Sequence, residues 1–575
     1  MRTPLRRDDR GSALITVIGV TMVLSLLVLA STTYALGAQK TARRDQDWNA
    51  ALAAAQGGVD EYISRLNADG TYWQYGNSTS NYTKTPASPT AVVAPPASAP
   101  NSAFFGWTDL PGSSSRAQFR YEVNTWQYKS DGILHLRSTG RVGKRTRTID
   151  VAVRRQSFID FLYFTDFETK DPLAYTGSGE LSAANAQAQC SKHVYDGRQD
   201  IGFGGNCVPI NFVSGDVIQG PLHTNDAFLV CGSPQFDGNT STSWDDPAKK
   251  RYRVNTSCGA ASPKFARVGD PKLAPTLDVP PSNSAIRREV DKRYTTTPGC
   301  LYSGPTSIKL NSNGTMDVDS PWTKDKSVCG TGPGVPLPAN GVVYVQNVPK
   351  TPTTDPNYWN PADAAIPSKK CVASNPTGSP LSNPIGYPVK GDVTAYGCDT
   401  GDVFIEGSLK GKLTVAAENN VVITWNITYQ GGAGGTDILG LIANNFVEVY
   451  HPFGCPAYKA NGTCNSSQTN LNPTGKASTF GDPQISAAIL SVNHSFRVQN
   501  YASGARLGDL NVTGAIAQRY RGIVGLTGST GYLKNYVYDT KLKYGSPPKF
   551  LDPVKSAFGV TVWSEPSPAF KYNAP

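Results

Sequence analysis

Apolar residues dominate the start of the chain, and their spacing changes along it. An uncharged run extends from Gly11 to Gln39, which exceeds the roughly 20 residues that a membrane-spanning helix needs. Further on, apolar residues recur at intervals of three and four, the period of one helix face; they are Trp48, Leu52, Ala55, Val59, Ile63 and Leu66. The pattern predicts one long helix over 12–67, with residues 12–38 in membrane lipid.

After the helix the pattern changes. Residues 68–117 are rich in Ser, Thr, Asn and Pro and are predicted to form a long loop or linker. Apolar and polar residues then alternate over 118–156, for example at Phe119, Tyr121 and Val123, which predicts a small antiparallel sheet. Residues 157–214 form a predicted transition segment with a buried aromatic stretch.

Short apolar strands followed by asparagines recur in the remaining part, 215–575. The pairs Asn419-Asn420 and Asn444-Asn445 each follow such a strand, and they lie about 25 residues apart, a spacing typical of repeat architectures. Strands broken by corner asparagines are typical of a parallel β-helix, and a β-sandwich is the alternative. Pro-rich insertions are predicted at 260–300 and 330–390, with a short helix that begins at Ser284 as its N-cap. The predicted fold class is α+β.

The junction Arg10-Gly11-Ser12-Ala13-Leu14-Ile15 resembles the leader junction of type IV pilin-like proteins. The tract Asn49-Ala50-Ala51-Leu52-Ala53-Ala54-Ala55-Gln56 is similar to the N-terminal segment of PilX-like minor pilins, and the β-rich remainder resembles large actinobacterial PilX-like proteins. The resemblance implies a prepilin-type leader over 1–11, which a prepilin peptidase removes after Gly11, so that Ser12 begins the mature chain. It also implies other pilin-like subunits as partners.

One position departs from that family. The family usually has Glu at the fifth mature position, where this chain has Thr16. Some minor pilins and pseudopilins of the PilX or GspK kind also lack the acid, and this resemblance implies a place at or near a filament tip. Two other interpretations of the N-terminal segment stay open. They are a secretory signal cut near Ala35-Leu36-Gly37 and a plain single-span anchor.

Composition agrees with an exported structural protein. Only 17% of the residues are charged, whereas the chain has 56 Gly and 42 Pro, which is typical of β-rich scaffolds with many turns. The net charge is +10, but the basic residues are spread thinly. The densest cluster is Lys144, Arg145, Arg147, Arg154 and Arg155, so nucleic acid is not an expected partner.

The ten cysteines all lie between Cys190 and Cys464, after the helix and the loop that follows it, which indicates disulfides in an oxidising compartment. Pairing in sequence order is the simplest expectation. It joins Cys190 to Cys207, Cys231 to Cys258, Cys300 to Cys329, Cys371 to Cys398, and Cys455 to Cys464. No two CxxC or CxxH spacings occur together in the sequence, so no metal site is expected.

The sequence contains five histidines and no HExxH, GxSxG, Walker or Rossmann motif. We therefore expect no enzymatic activity, no catalytic residue and no cofactor, and we expect His223 to be a turn residue. Two weaker alternatives are an acidic face of a polysaccharide-active β-helix at Asp402, Glu406 and Glu418, and a calcium loop at Asp237, Asp245 and Asp246.

The combined patterns predict a structural minor or tip subunit of a type IV pilus or related secretion filament. It would display a large β domain for adhesion or assembly priming, with a host, surface or polysaccharide ligand. The alternative is a membrane-anchored surface adhesin or polysaccharide-active β-helix protein outside any filament. The expected location is a single-pass membrane form before assembly, and then an extracellular filament or the cell surface.

Overall fold

The computed structural model describes residues 10–83, 92–112, 116–125, 128, 133–155, 157–246, 250–254, 260–351, 354–363, 365–367, 371, 382–457, 459, 464–471, 481–526, 529–554 and 558–570. Their contacts divide the chain into two compact units. Unit 1 comprises Met1–Lys129, Ile133–Arg154 and Phe558–Pro575, and unit 2 comprises Ser130–Gly132 and Arg155–Ala557.

The helices and strands follow one another along the chain. The helices are α1 (Arg10–Ala68), α2 (Ala183–Cys190) and α3 (Ser284–Glu289). The strands are β1 (Thr108–Asp109), β2 (Ala117–Asn124), β3 (Leu134–Val142), β4 (Arg145–Arg155), β5 (Tyr163–Phe167), β6 (Asn211–Val213), β7 (Val217–Gln219), β8 (Leu222–Thr224), β9 (Leu229–Cys231), β10 (Gln235–Phe236), β11 (Thr240–Thr242), β12 (Arg253–Val254), β13 (Lys264–Phe265), β14 (Lys272–Leu273), β15 (Cys300–Ser303), β16 (Thr306–Asn311), β17 (Thr315–Asp319), β18 (Gly332–Pro336), β19 (Val342–Gln346), β20 (Val403–Leu409), β21 (Lys412–Ala417), β22 (Val421–Tyr429), β23 (Ile438–Ala443), β24 (Val447–Val449), β25 (Phe453–Gly454), β26 (Thr469–Asn470), β27 (Gln484–Ser491), β28 (Phe496–Val498), β29 (Arg506–Tyr520), β30 (Gly525–Leu526), β31 (Thr530–Tyr538) and β32 (Phe558–Ser564).

Helix α1 is continuous over 59 residues, which gives a length of about 88 Å at about 1.5 Å per residue. Among the residues that the structure describes, only the second half of this helix packs against protein. Tyr62 and Leu66 are buried there, with small residues at Ala51, Ala54 and Ala55. Trp48 of the predicted apolar stripe is instead 44% exposed, because the closest contact uses alanines and leaves the large indole at the margin. The buried face is therefore rotated from the predicted one towards Tyr62.

The small sheet has the strand order β1-β2-β3-β4-β32. Strands β2, β3 and β4 pair antiparallel, with Phe119 opposite Gly140 and Leu136 opposite Val151, as the period-two pattern predicts. The prediction assigned everything after residue 215 to the C-terminal β domain. Strand β32 instead lies beside β4 in unit 1, and its short amphipathic sequence gives no local indication of which sheet it joins.

The loop between α1 and β2 is irregular, as predicted, but its described part is not a free linker. Tyr72 and Phe104 are buried. Their rings pack against each other and against Tyr62, and Phe104 also packs against Tyr121, with centroid separations of 5.0–6.4 Å. Tyr121 donates a hydrogen bond to Glu61 at 2.6 Å. Aromatic side chains thus fix a segment whose overall composition is polar.

Unit 2 is built mainly of parallel strand pairs between consecutive segments of chain. Leu413 is opposite Leu439, Leu441 is opposite Ile489, and Ile489 is opposite Ile516. Because apolar side chains share one register from strand to strand, they form a continuous buried core. Strands β16, β17 and β18 pair antiparallel at one side of this arrangement.

The strand order of unit 2 does not follow the chain. Strand β5 pairs in parallel with β29 on one side and β8 on the other, and β7 pairs with β31 and β10. The N-terminal sector, β5–β14, therefore begins in the middle of the sheet and meets the end of the C-terminal sector, β15–β31. We call the contact of β5 and β7 with β29 and β31 the seam.

A strap over 277–290 connects the two sectors and lies on the outside of the strands. Leu277, Val279 and Ile286 are buried against side chains of β19, β21, β23 and β27. Helix α3 begins at Ser284 but its N-cap is Asn283, not the predicted Ser284. The side-chain amide of Asn283 joins the strap to the strands by hydrogen bonds. It donates to the carbonyl of Ala417 at 2.6 Å and accepts from the hydroxyl of Tyr344 at 3.1 Å.

Candidate functional site

The first half of α1 makes no tertiary contact among the described residues. Every side chain from Ala13 to Gln46 is exposed, and most residues up to Leu36 are apolar, including Leu14, Ile18 and Leu26 at 57–65% exposure. The helix is long and apolar enough to cross a membrane. Exposed apolar area of this extent requires lipid or protein around it.

The hydroxyl groups within the apolar run are satisfied inside the helix. Thr21 donates to the carbonyl of Val17 at 2.8 Å, Ser25 to that of Thr21 at 2.7 Å, and Thr33 to that of Leu29 at 2.9 Å. Since a polar group in hydrocarbon needs an internal partner, these hydroxyls are compatible with a lipid environment.

The residues of the predicted processing site lie at the start of this helix. Gly11 and Ser12 belong to its first turns, whereas Met1–Asp9 of the predicted leader lies outside the described residues. Thr16 is exposed on the same helix. Cleavage after Gly11 stays a prediction from the sequence.

Glycines join the second half of α1 to the small sheet at very short range. A Cβ atom on Gly58 would lie 2.4 Å from the Ser138 hydroxyl oxygen, and one on Gly140 would lie 2.1 Å from the carbonyl oxygen of Ala51. Glycine inside a helix costs about 1 kcal/mol relative to alanine. The close approach explains why Gly57-Gly58 is nevertheless present, and it fixes the projecting half of α1 to unit 1.

The asparagines that the sequence predicts at corners lie in the loops between neighbouring strands. They form hydrogen bonds with one another. The side-chain amide of Asn445 donates to the side-chain oxygen of Asn419, and their backbones are joined by a 3.0 Å hydrogen bond. The side chain of Asn420 accepts from the backbone N–H of Phe446 at 3.1 Å. The stacking that the sequence predicts is therefore present at this corner.

The acids proposed for a catalytic face have structural partners. Asp402 is 1% exposed and accepts hydrogen bonds from Asn419 and Asn420. Burial raises its pKa to about 6. Glu406 accepts from Thr424 at 3.0 Å, and Glu418 accepts from the Asn347 backbone at 2.8 Å. Each carboxylate thus supports a corner or a strand.

The proposed calcium loop is likewise engaged by protein groups. Asp237 accepts from Gln235 at 2.7 Å and Asp246 from the Lys250 backbone at 3.0 Å, while Asp245 also has an interaction partner. Across the part of the chain that the structure describes, no group of three or more His, Cys, Asp or Glu side chains is placed to hold a metal ion.

Four of the predicted cysteine pairs are disulfide-bonded. They are Cys190–Cys207, Cys300–Cys329, Cys371–Cys398 and Cys455–Cys464, which confirms sequential pairing for these eight residues. The fifth predicted pair includes Cys258, which lies outside the described residues. Each bond closes a local loop of 9–29 residues, and disulfides of this kind are typical of proteins from oxidising compartments.

Removing one of these bonds gives a testable loss of stability. Replacement of both Cys190 and Cys207 by serine is expected to destabilise unit 2 by about 3 kcal/mol, the chain-entropy value for a loop of this size, because the bond closes a separation of 17 residues. Urea unfolding of the full chain measures this. A midpoint equal to that of the wild type would show that the bond constrains only a local excursion.

His223 is buried in β8 and is not the predicted turn residue. Its ring lies 2.9 Å from the hydroxyl of Ser241 and 3.3 Å from the side-chain oxygen of Asn225. It also packs on Phe161 and Phe164, with centroid separations of 5.3 and 6.0 Å. Burial lowers the pKa of the imidazole to about 4, so it is neutral in the folded protein at neutral pH.

This buried imidazole predicts acid sensitivity. In the unfolded chain the pKa is near 6.5, so the unfolded state binds more protons between pH 6.5 and about 4. The stabilisation is complete above pH 6.5 and is lost as pH falls towards 4, by roughly 3 kcal/mol in all. His223→Gln is expected to flatten this part of the stability–pH curve, whereas His135→Gln in unit 1 is the matched control. An unchanged curve for His223→Gln would contradict the prediction.

Sequence patterns did not indicate a cavity of about 450 Å³ beside α3. Its wall contains three basic residues, Arg287, Lys292 and Arg293, and three acids, Asp291, Asp325 and Asp355. The two signs pair within the wall, with Arg293 and Asp291 2.6 Å apart. The wall therefore has no excess charge that would select an ion, and its residues come from separate loops that no local pattern links.

Comparison with known proteins gives little similarity. No protein-family model matches the sequence, and no curated protein matches it. Among solved structures, the competence-associated pilin ComZ from Thermus thermophilus is similar at 11% sequence identity, over 90% of this chain and 97% of that chain, with a TM-score of 0.24. At that TM-score the two folds do not superpose as a whole, so the functional argument rests on the residues of this chain.

Proposed function

We propose that this chain is a pilin-like structural subunit, a minor or tip component of a type IV pilus or related secretion filament. One observation carries the proposal, namely a single continuous helix with an exposed apolar half and a second half packed on an antiparallel sheet. The apolar half would hold the subunit in the membrane through residues 12–38 and then pack against other pilin-like subunits in the filament. Such a helix serves assembly, and we assign the chain no catalytic activity.

We further propose that unit 2 is a parallel β-helix displayed on the outside of the filament or cell. Parallel pairs such as Leu413 with Leu439 and Asn511 with Asn535 join segments about one coil apart. Stacked corner asparagines and local disulfides support the same architecture. A rigid exported scaffold of this size suits adhesion to a host, surface or polysaccharide ligand, or the priming of assembly.

Two features favour a minor or tip position over the shaft. Thr16 stands at the position where the family that this chain resembles usually has Glu. Unit 2 continues from Arg155 to Ala557, and a domain of this bulk is difficult to repeat along a closely packed shaft. Immunogold labelling of native filaments is expected to mark the ends only. Label along the whole length would contradict the tip assignment while leaving the pilin-like assignment intact.

The mature N-terminus tests the pilin route directly. Mass spectrometry of the native protein from its own membrane fraction is expected to give a chain that begins at Ser12, with an N-methyl group as the family resemblance implies. Gly11→Val is expected to retain the leader, whereas Gly19→Ala, at a helix position with no neighbouring side chain within 4 Å, is processed normally. A start at Ala38 would indicate a secreted soluble protein, and an intact Met1 would indicate a plain anchor.

A further inference from the structure

The uncharged stretch of α1 has a length that matches a whole bilayer. From Gly11 to Gln39 the helix rises roughly 43 Å at about 1.5 Å per residue, and a bilayer with its headgroup regions is about 40–45 Å thick. Arg10 and Lys40 are therefore placed at the two headgroup levels. Tyr34, which is 81% exposed, lies about two turns before Lys40, at the interfacial depth where tyrosine is enriched.

Three basic residues follow this stretch on one helix face. Lys40, Arg43 and Arg44 occupy positions i, i+3 and i+4, so their side chains are neighbours. All three are exposed, and none forms an ion pair with a described residue. Two acids follow. Asp45 is at i+1 and i+2 from the two arginines and does not face them, and the carboxylate of Asp47 lies 3.7 Å from Arg116.

The three basic residues lie at the end of the membrane span where basic residues are not usually found. Basic residues close to a membrane span normally mark the cytoplasmic side, and the leader supplies them there with Arg2, Arg6, Arg7 and Arg10. Lys40, Arg43 and Arg44 lie at the opposite end of the uncharged stretch, from which the chain continues towards the disulfide-bonded cysteines. Basic side chains at headgroup depth gain favourable energy from lipid phosphates.

We propose that Lys40, Arg43 and Arg44 form a lipid-phosphate contact that binds anionic phospholipid headgroups in the outer-facing leaflet. This contact fixes the depth of the unassembled subunit and keeps the packed half of α1 clear of the membrane. The inference rests on the proposed membrane insertion of α1. Unlike hydrophobic burial, it predicts a preference among lipids and a dependence on salt.

The test uses the full chain reconstituted into vesicles of phosphatidylcholine and phosphatidylglycerol at about 7:3, the mixture that separates general phosphate binding from anionic-lipid binding. Electron paramagnetic resonance of spin-labelled lipids measures the preference of the protein for phosphatidylglycerol over phosphatidylcholine. The triple variant K40Q/R43Q/R44Q is compared with K264Q/R267Q/K272Q, which removes the same charge from exposed positions of unit 2. Wild type and variants share the leader, so its contribution cancels.

The K40Q/R43Q/R44Q variant is expected to lose at least threefold in phosphatidylglycerol preference, and the control variant to keep the wild-type value. At 1 M salt, where the screening length is about 3 Å, the wild type is expected to match the triple variant. An equal preference in all three proteins would overturn the inference. An unchanged lipid preference with lost filament incorporation would also overturn it and assign the face to a neighbouring subunit.

A spin label at Leu24→Cys separates this result from failure of the proposed function. Leu24 lies near the middle of the apolar run and is exposed on the helix. If α1 spans the membrane, the label is accessible to oxygen and protected from a water-soluble nickel reagent. Access to the nickel reagent would refute membrane insertion itself, whereas protection without lipid preference would refute only the phosphate contact.

Discussion

Replacement of Arg521 by methionine is expected to destabilise unit 2 by about 3–5 kcal/mol, the range for breaking a buried ion pair. The guanidinium is fully buried and donates to the carboxylate of Glu168 at 2.9 Å. It also lies 3.4 Å from the ring centroid of Phe212. Since Arg521 follows β29 and Glu168 follows β5, the pair holds the two sectors together at the seam. The variant would leave a buried carboxylate without its cation.

Pairs of variants distinguish the charge from the packing. The cost of R521M combines the loss of the ion pair with the loss of the packing of the guanidinium on Phe212. Glu168→Gln combined with Arg521→Met is expected to restore part of the loss at neutral pH. Lys350→Met, which breaks an exposed pair with Asp399, is the control and is expected to cost less than about 1 kcal/mol.

Hydrogen exchange at β5 and β29 is the measurement, because it reports opening at the seam itself. Both strands are expected to lose protection together in R521M, while β20–β24 exchange as in the wild type. Equal loss across all strands would show that the sectors unfold as one unit. A variant with unchanged protection would refute the role of the pair.

The sequence predicts the elements of this fold far better than their order. Helix α1, strands β2–β4 and four disulfides follow from periodicity and from local loop closure. The seam does not, because its partners are distant in the sequence, as when Gln518 bonds to Tyr163 across 355 positions. Pairing between strands so distant in the sequence depends on which strand edges are still free once both sectors have formed.

In helix α1, too, one feature can be predicted from the local sequence and another cannot. The sequence predicts residues 12–38 as a membrane-spanning segment, because lipid requires a long uncharged run and such a run is visible in the local sequence. The sequence does not predict how α1 packs on the small sheet of unit 1, because alanine and glycine contribute almost nothing to a hydrophobic periodicity. Ala51, Ala54 and Gly58 are at the contact, whereas the indole of Trp48, the most prominent apolar residue of the pattern, lies at the margin with Arg147 over its ring.

The close docking predicts the second large effect. Gly140→Val is expected to destabilise unit 1 by about 4 kcal/mol, more than the roughly 1–3 kcal/mol of ordinary overpacking. The cost is larger because the atoms that the new side chain would meet are backbone atoms of α1. A Cβ atom on Gly140 would lie 2.1 Å from the Ala51 carbonyl oxygen and 2.3 Å from the Ala55 backbone nitrogen, and a helix backbone cannot move aside as a side chain can.

Hydrogen exchange of residues 48–66 in the full chain measures whether the helix leaves the sheet. Gly140→Val is expected to increase exchange there and to leave the strands of unit 2 unchanged. Gly106→Ala is the control in the same unit, since nothing lies within 4 Å of a Cβ at that position. If Gly140→Val keeps wild-type protection over 48–66, the contact between α1 and β3 does not hold the helix. In that case other contacts of α1 within unit 1, such as those of Tyr62 with Tyr72 and Phe104, would hold the helix.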